Sequence, residues 1–255
     1  GSNGVVTTLV GPNDDPHTFV PTAEDERRLV RADVVFKVGL GLEKGMAEAF
    51  GRLPANTKVV ELGHGIPEQL IRMKGGAPDP HLWLDVTMWK EAVAPVVVGV
   101  SQVDSDRFGD YKLNGERFRA RLDTLDAWVR QEVGKVASDR RFLITAHDAF
   151  GYFGAAYGFY AAGVRGTSPS CAPNKSQIGR IVDIMARQDA AGVFADSNIS
   201  DTDLARMVAR GIRVLESDSL KVGVVGAGGE ETYVGGFRST VTTIVEAMTK
   251  HESQN

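Results

Sequence analysis

Cysteine is almost absent from this 255-residue chain, in which Cys171 is the single example. One thiol cannot form an internal disulfide, and it excludes metal sites built from Cys-x-x-Cys pairs. Long hydrophobic runs are also missing, because apolar stretches such as residues 93–100 are far shorter than the roughly 18 residues of a membrane span. The formal net charge of -4 argues against a nucleic-acid partner, since phosphate binding requires a basic surface.

Several familiar motifs are missing as well. The segment GLGLEKG (residues 39–45) has the spacing Gly-x-Gly-x-x-x-Gly, which differs from the dinucleotide-binding pattern and predicts a tight strand-to-helix turn. No Gly-x-Ser-x-Gly or His-Glu-x-x-His motif occurs. The opening residues GSNG lack the basic start and apolar stretch of a signal peptide, so we expect that any targeting segment has been removed.

The first half of the chain alternates between strand and helix patterns. A β-branched run at residues 5–10 predicts a strand, and Thr22 is a suitable N-cap for a helix over residues 23–32. A helix over residues 87–103 is expected to kink or break near Pro95. The other predicted elements are strands at residues 34–38 and 59–62 and a helix at 46–50. Such alternation is typical of an α/β layer with a mainly parallel sheet.

A long helix is predicted at the middle of the chain, over residues 112–137, from apolar residues at three- and four-residue steps. A second alternation follows it, with strands at 142–145, 192–195 and 212–215 and helices at 150–157, 175–187, 202–210 and 235–250. The sequence therefore predicts two α/β lobes of mainly parallel sheet, flanked by helices and joined by one long helix. We expect an N-terminal lobe at residues 1–111, the linking helix at 112–137 and a C-terminal lobe at 138–255.

Three of the five histidines lie in related settings. His17 follows Asp15-Pro16 and His81 follows Asp79-Pro80, whereas His147 follows an apolar run and precedes Asp148. In α/β folds, loops at the carboxyl ends of strands hold ligands. Imidazole is the commonest protein ligand for borderline-soft divalent metals, so three converging histidines indicate zinc.

The remaining candidates differ in strength. Asp218 follows the predicted strand at residues 212–215 and is the fourth candidate ligand, so that each lobe supplies two. His64 also follows a predicted strand, but it has no neighbouring Asp-Pro or Asp and is disfavoured. His251 lies in a polar tail and is expected to be solvated.

Four segments resemble, in order, the metal motifs of one protein family, the zinc/manganese class of solute-binding proteins that serve ABC importers. GPNDDPHTFVPT (residues 11–22) resembles the first motif, DPHLWLD (79–85) the second and AHDAFGYF (146–153) the third. ESDSL (216–220), followed after a loop by ETY (231–233), resembles the fourth. Together these segments span nearly the whole chain.

This resemblance implies two lobes linked by a rigid helix, with a metal ion in the cleft between them. Carried over by position, the ligands are His17, His81, His147 and Asp218. Zinc-type members resemble this chain in having histidine at the third position, where manganese members tend to have glutamate, so Zn²⁺ is expected ahead of Mn²⁺ as the transported ion. The implied protein is an extracytoplasmic, periplasmic monomer that delivers zinc to an ABC permease at the cytoplasmic membrane.

Two departures from the family pattern are visible. Members normally begin with a further strand and helix, so the first βα unit of the N-terminal lobe is expected to be missing here. Many zinc members also have a long histidine-rich loop before the second motif, whereas only RMKGGA (residues 72–77) occupies that place. The metal is then expected to come from another source, such as a separate zinc donor protein.

A zinc enzyme is the alternative to a carrier. Three histidines with water in the fourth position would form a mononuclear hydrolase site. Asp218 separates the two hypotheses, because its carboxylate would complete the metal's coordination and leave no position for a reactive water.

Overall fold

A computed structural model of the chain describes residues 4–11, 14–172, 175–188, 193–194, 214–215 and 233–250. Before the long helix, parallel strands β1 and β2 pair in register, and β3 and β4 form an antiparallel hairpin. The elements of this part are α1 (Ala23–Val30), β1 (Val34–Lys37), α2 (Ala47–Gly51), β2 (Lys58–Glu61), β3 (Met73–Lys74), β4 (Ala77–Pro78), α3 (Val86–Glu91) and α4 (Val93–Val103).

Local sequence explains where these helices begin and break. Thr22 caps α1 in a reciprocal capping box with Asp25, as its position before an acidic first turn predicts. The helix predicted over residues 87–103 is divided at Ala92 into α3 and α4. Pro95 is the third residue of α4, where its missing N–H costs no intrahelical hydrogen bond.

The strand predicted at residues 5–10 is wrong. Within the described residues this segment pairs with no strand, and Val5 and Val6 are 96% and 93% exposed. β-Branched residues favour an extended backbone, but a strand also needs a neighbouring ladder, which local sequence does not reveal.

The long helix α5 extends from Phe108 to Val133, four residues earlier at each end than predicted. At 1.5 Å per residue its 26 residues span about 39 Å. One face of α5 is buried, at Leu122, Leu125, Val129 and Val133. This face packs in one hydrophobic core with residues that precede α5 in the sequence and with residues that follow it. The helix thus joins the two halves through its apolar face.

After α5 a four-stranded parallel sheet forms, in the order β6-β5-β7-β8. Strand β6 was not predicted, because its sequence YAAG has few β-branched or large apolar residues. The predicted helix at residues 202–210 lies outside the described residues. The elements of this part are β5 (Phe142–Thr145), α6 (Gly151–Tyr157), β6 (Tyr160–Gly163), α7 (Lys175–Gln188), β7 (Val193–Phe194), β8 (Val214–Leu215) and α8 (Tyr233–Lys250).

The architecture is therefore the predicted one, with two α/β lobes of parallel sheet and one long connecting helix. None of the helices in the described ranges combines the length and apolar character needed to cross a membrane.

Candidate metal centre

Three histidine rings from distant parts of the chain meet at one point. The ring centroids of His17 and His81 are 5.2 Å apart, those of His81 and His147 are 5.5 Å apart, and those of His17 and His147 are 5.9 Å apart. One ring nitrogen from each residue lies within 4.8 Å of the other two. The three histidines singled out from the sequence thus form one cluster.

The two Asp-Pro-His segments use the same local hydrogen bond. The backbone N–H of His17 donates to Oδ1 of Asp15 at 2.8 Å, and that of His81 donates to Oδ1 of Asp79 at 3.1 Å. An aspartate that accepts from the backbone two residues on forms an Asx turn, which the fixed φ of the intervening proline favours. The motif therefore fixes the backbone from which each imidazole projects.

Asp79 also orients the ring of His81. Its Oδ1 lies 2.6 Å from His81 Nδ1, and both side chains are buried. Because an ionised carboxylate only accepts hydrogen bonds, Nδ1 bears the proton and Nε2 keeps a free lone pair. His81 Nε2 faces His17 Nε2 at 3.2 Å.

His147 lies directly beyond β5, as predicted. The hydroxyl of Thr145, the last residue of β5, donates to the His147 carbonyl at 2.7 Å. Gly163, at the end of the neighbouring strand β6, allows this loop to approach closely, because a Cβ there would lie 2.1 Å from the backbone nitrogen of Asp148. The ring of His147 is thus positioned by the backbone of two adjacent strands.

Burial keeps the His17 and His81 imidazoles neutral. It lowers the pKa of His17 to about 3, with further lowering from the nearby His81 and His147 rings and from the Lys44 ammonium. Burial also lowers the pKa of His81, although its hydrogen bond to Asp79 opposes that shift. Near pH 7 both rings are therefore neutral, with one ring nitrogen of each able to donate a lone pair to a metal ion.

The cluster has suitable dimensions for one metal ion. A tetrahedral ion with nitrogen ligands at roughly 2.0–2.1 Å separates two such nitrogens by about 3.4 Å. This is close to the 3.2 Å between the Nε2 atoms of His17 and His81. The three imidazoles can thus converge on a single ion without large rearrangement of the loops.

Of the other candidate ligands, His64 is the one within the described residues. The side chain of His64 is 77% exposed and lies 3.4 Å from Glu61, so it is not part of the cluster. Asp218 and His251 lie outside the described residues. In the glycine-rich turn, the Glu43 carboxylate accepts hydrogen bonds from the backbone N–H groups of Val38 and Gly39, which leaves these donors unavailable to a phosphate.

Sequence reasoning missed several residues around the cluster. Asp79 orients the ring of a candidate ligand, a role that the sequence analysis did not assign to it. Lys74 lies 2.5 Å from Asp148, and Tyr152 hydrogen-bonds to the backbone on the His81 side of the cluster. The Gly75-Gly76 pair could have indicated the turn of the β3–β4 hairpin, which brings Lys74 close to Asp148.

The chain matches one protein family over nearly its whole length. Residues 1–247 match the family described as zinc-uptake complex component A, periplasmic (ZnuA). The chain is 32% identical over 249 residues to zinc-binding protein TroA of Treponema pallidum (strain Nichols), which covers 95% of this chain and 81% of TroA. It is 30% identical over 256 residues to manganese-binding lipoprotein MntA of Bacillus subtilis (strain 168), with coverages of 97% and 84%.

Solved structures show the same architecture. The periplasmic zinc-binding protein TroA from Treponema pallidum matches with a TM-score of 0.85 at 31% identity, covering 94% of this chain and 89% of that chain. Fe(III)-bound YtgA from Chlamydia trachomatis matches with a TM-score of 0.81 at 26% identity, with coverages of 94% and 88%. The chain therefore belongs to the periplasmic zinc-uptake component A family of metal-binding ABC-transporter substrate-binding proteins, which are not enzymes.

Proposed function

We propose that this protein captures zinc outside the cytoplasmic membrane and delivers it to an ABC permease for import. The observation that supports this most directly is the convergence of the three imidazoles of His17, His81 and His147. Because the first two precede α5 and the third follows it, the ion would lie between the lobes, where a docked permease could disturb its coordination.

We assign four ligands to the ion. His17, His81 and His147 would supply nitrogen, and Asp218, which lies outside the described residues, would supply a carboxylate oxygen. The assignment of Asp218 is supported by the fourth family motif in which it occurs. Four protein ligands would complete a tetrahedral shell, as carriage of an ion requires.

Zinc is proposed over manganese and iron on the chemistry of the donors. Named relatives differ in metal, since TroA is called zinc-binding, MntA manganese-binding and one YtgA structure holds Fe(III). Imidazole suits zinc, whereas manganese prefers carboxylate, carbonyl and water oxygen. A site with three imidazoles and one carboxylate therefore favours zinc.

A mononuclear zinc hydrolase is not favoured, because the family consists of substrate-binding proteins. We further propose that the protein acts as an extracytoplasmic monomer and receives zinc from a separate donor protein. The lobe boundaries at residues 1–111, 112–137 and 138–255 stay a prediction.

Metal content and competition test this proposal. Purified protein is expected to hold one zinc ion per chain and to prefer zinc over manganese in a competition titration. His147→Glu should narrow that preference by about tenfold or more, since it adds a harder oxygen ligand. His64→Glu is the matched control, because this exposed residue lies outside the cluster.

Two results would contradict the proposal. A wild-type protein that prefers manganese or iron would exclude zinc as its cargo. A larger effect of His64→Glu than of His147→Glu would exclude the assigned ligands.

A further inference from the structure

The β3–β4 hairpin (residues 73–78) makes little apolar contact with the protein. Its turn is formed by Gly75 and Gly76, with φ of 58° and 83°, as a tight two-residue turn requires. Residues 73–77 are exposed, and Met73 is 64% exposed. Polar contacts at its two ends must therefore hold the hairpin in place.

One contact joins the hairpin to the loop that bears His147. Lys74 extends its ammonium to within 2.5 Å of Asp148 Oδ2. The Lys74 side chain is 48% exposed, whereas the Asp148 side chain is only 5% exposed. Asp148 is the residue directly after His147. Lys74 precedes the long helix and Asp148 follows it, so this ion pair connects the two lobes.

A second contact joins the base of the hairpin to α6. The backbone N–H of Arg72 donates to the Tyr152 hydroxyl at 2.9 Å, and this hydroxyl donates to the Asp79 carbonyl at 2.9 Å. The N–H of Asp79 in turn donates to the Arg72 carbonyl at 2.8 Å. The ring of Tyr152 is buried, so its hydroxyl is fixed between the two chain segments that enter and leave the hairpin.

We infer that the hairpin is an interlobe strap, in which Lys74 and Tyr152 are positioning residues that slow dissociation of the bound metal ion. Neither residue is one of the four proposed ligands. This inference rests on the proposed function, because it assumes that the histidine cluster holds a metal.

The chain connection explains how the strap acts. Strand β4 leads directly into Asp79-Pro80-His81, while Asp148 and Tyr152 both follow the other lobe's candidate ligand, His147, within five residues. Fastening the hairpin therefore fixes His81 relative to His147. For the two rings to separate, the ion pair and the tyrosine hydrogen bonds must break, and Asp148 would be left buried and unpaired.

Zinc release from the loaded full-length chain tests the strap. Stopped-flow mixing with excess chelator should show dissociation about tenfold faster for Lys74→Met and for Tyr152→Phe than for wild type, with association rates unchanged. Lys74→Arg should keep dissociation slow, because it preserves the ion pair. The double variant should fall short of the product of the two effects if both contacts act in one strap.

Two matched controls separate positioning from general destabilisation. Lys90→Met removes an ion pair with Asp123, and Tyr111→Phe removes a hydrogen bond to Asp104, and neither contact involves a residue of the cluster or of the hairpin. Both controls should release zinc at the wild-type rate. Because Lys74 is half-exposed, Lys74→Met tests the strap even where Tyr152→Phe prevents folding.

The outcomes distinguish the two proposals. Wild-type dissociation rates in Lys74→Met would overturn the strap while leaving zinc carriage intact. Failure of the wild-type chain to bind zinc would overturn the proposed function itself. Equal acceleration in Lys90→Met would also overturn the strap, since loss of any surface ion pair would then suffice.

Discussion

At the scale of single residues, Asp79 determines which nitrogen of His81 is available. Its carboxylate accepts both the backbone N–H and the Nδ1–H of His81, so one side chain sets the turn and the tautomer. Asp15 sets the corresponding turn for His17. These relations are local in sequence, which is why the Asp-Pro-His motif allowed both histidines to be singled out.

Asp79→Asn tests this orientation. The amide preserves the turn but removes the charge that favours the Nδ1–H tautomer, so zinc affinity should fall by about tenfold. Asp85→Asn is the matched control, because asparagine caps α3 about as well as aspartate does. Calorimetric titration of both variants measures the difference, and an equal loss in Asp85→Asn would contradict the role assigned to Asp79.

Lys74 and Tyr152 show where residue-level prediction ended. Each acts on a partner more than 70 residues away, Lys74 on Asp148 and Tyr152 on Asp79. No local pattern encodes such a pairing, because it depends on how the two lobes are placed. Both residues lie in segments that the sequence analysis quoted, but their roles could be recognised only from the folded structure.

At the scale of elements, the strongly periodic segments were predicted well and the weak ones were not. The buried stripe of α5 predicted a long helix, and the apolar run FLIT predicted β5 with its observed bounds. Strand β6 was missed because its small residues give no strand signal, yet Gly163 at its end is essential for the close approach to the His147 loop. The low strand propensity of β6 therefore reflects the need for a glycine next to the His147 loop.

Gly163→Ala tests the contact between β6 and the His147 loop. The new Cβ would meet the Asp148 backbone nitrogen at 2.1 Å and the His147 carbonyl carbon at 2.4 Å, so the loop must move. We expect a loss of about 3 kcal/mol in the free energy of unfolding, together with weaker zinc binding. Gly179→Ala, at an exposed site in α7 with open space around it, should instead stabilise by about 1 kcal/mol. Denaturant unfolding measures the free energy of unfolding of both variants. Similar changes in the two would contradict the role assigned to Gly163.

At the scale of the whole molecule, the two lobes share a core. One buried cluster includes Val86 before the long helix, Leu125 and Val129 within it, and Phe153 and Ile244 after it. A wide separation of the lobes would expose part of this core to water, at a cost of about 25 cal/mol per Å². Exchange of the ion therefore depends on movement of the loops and of the strap. The sequence predicted two lobes, but only the packing in the structure shows that they share one hydrophobic core.

The metal-free protein should lose stability as the pH falls from about 7 to 5. The folded pKa of His17 is lowered to about 3, below the unfolded value of 6.5, and burial lowers that of His81 too. Between these values the unfolded chain binds more protons than the folded chain, so acidification favours unfolding. Since His17 is only partly buried, solvent screening reduces its share to about 1 kcal/mol between pH 7 and pH 5.

His17→Asn isolates this contribution, because it removes the titrating ring. Its unfolding free energy, measured in denaturant with chelator present, should depend less steeply on pH than that of wild type over this range. His64→Asn, which changes an exposed histidine outside the cluster, should keep the wild-type slope. Identical slopes for wild type and His17→Asn without metal would mean that His17 is not held neutral by its burial beside the other two rings.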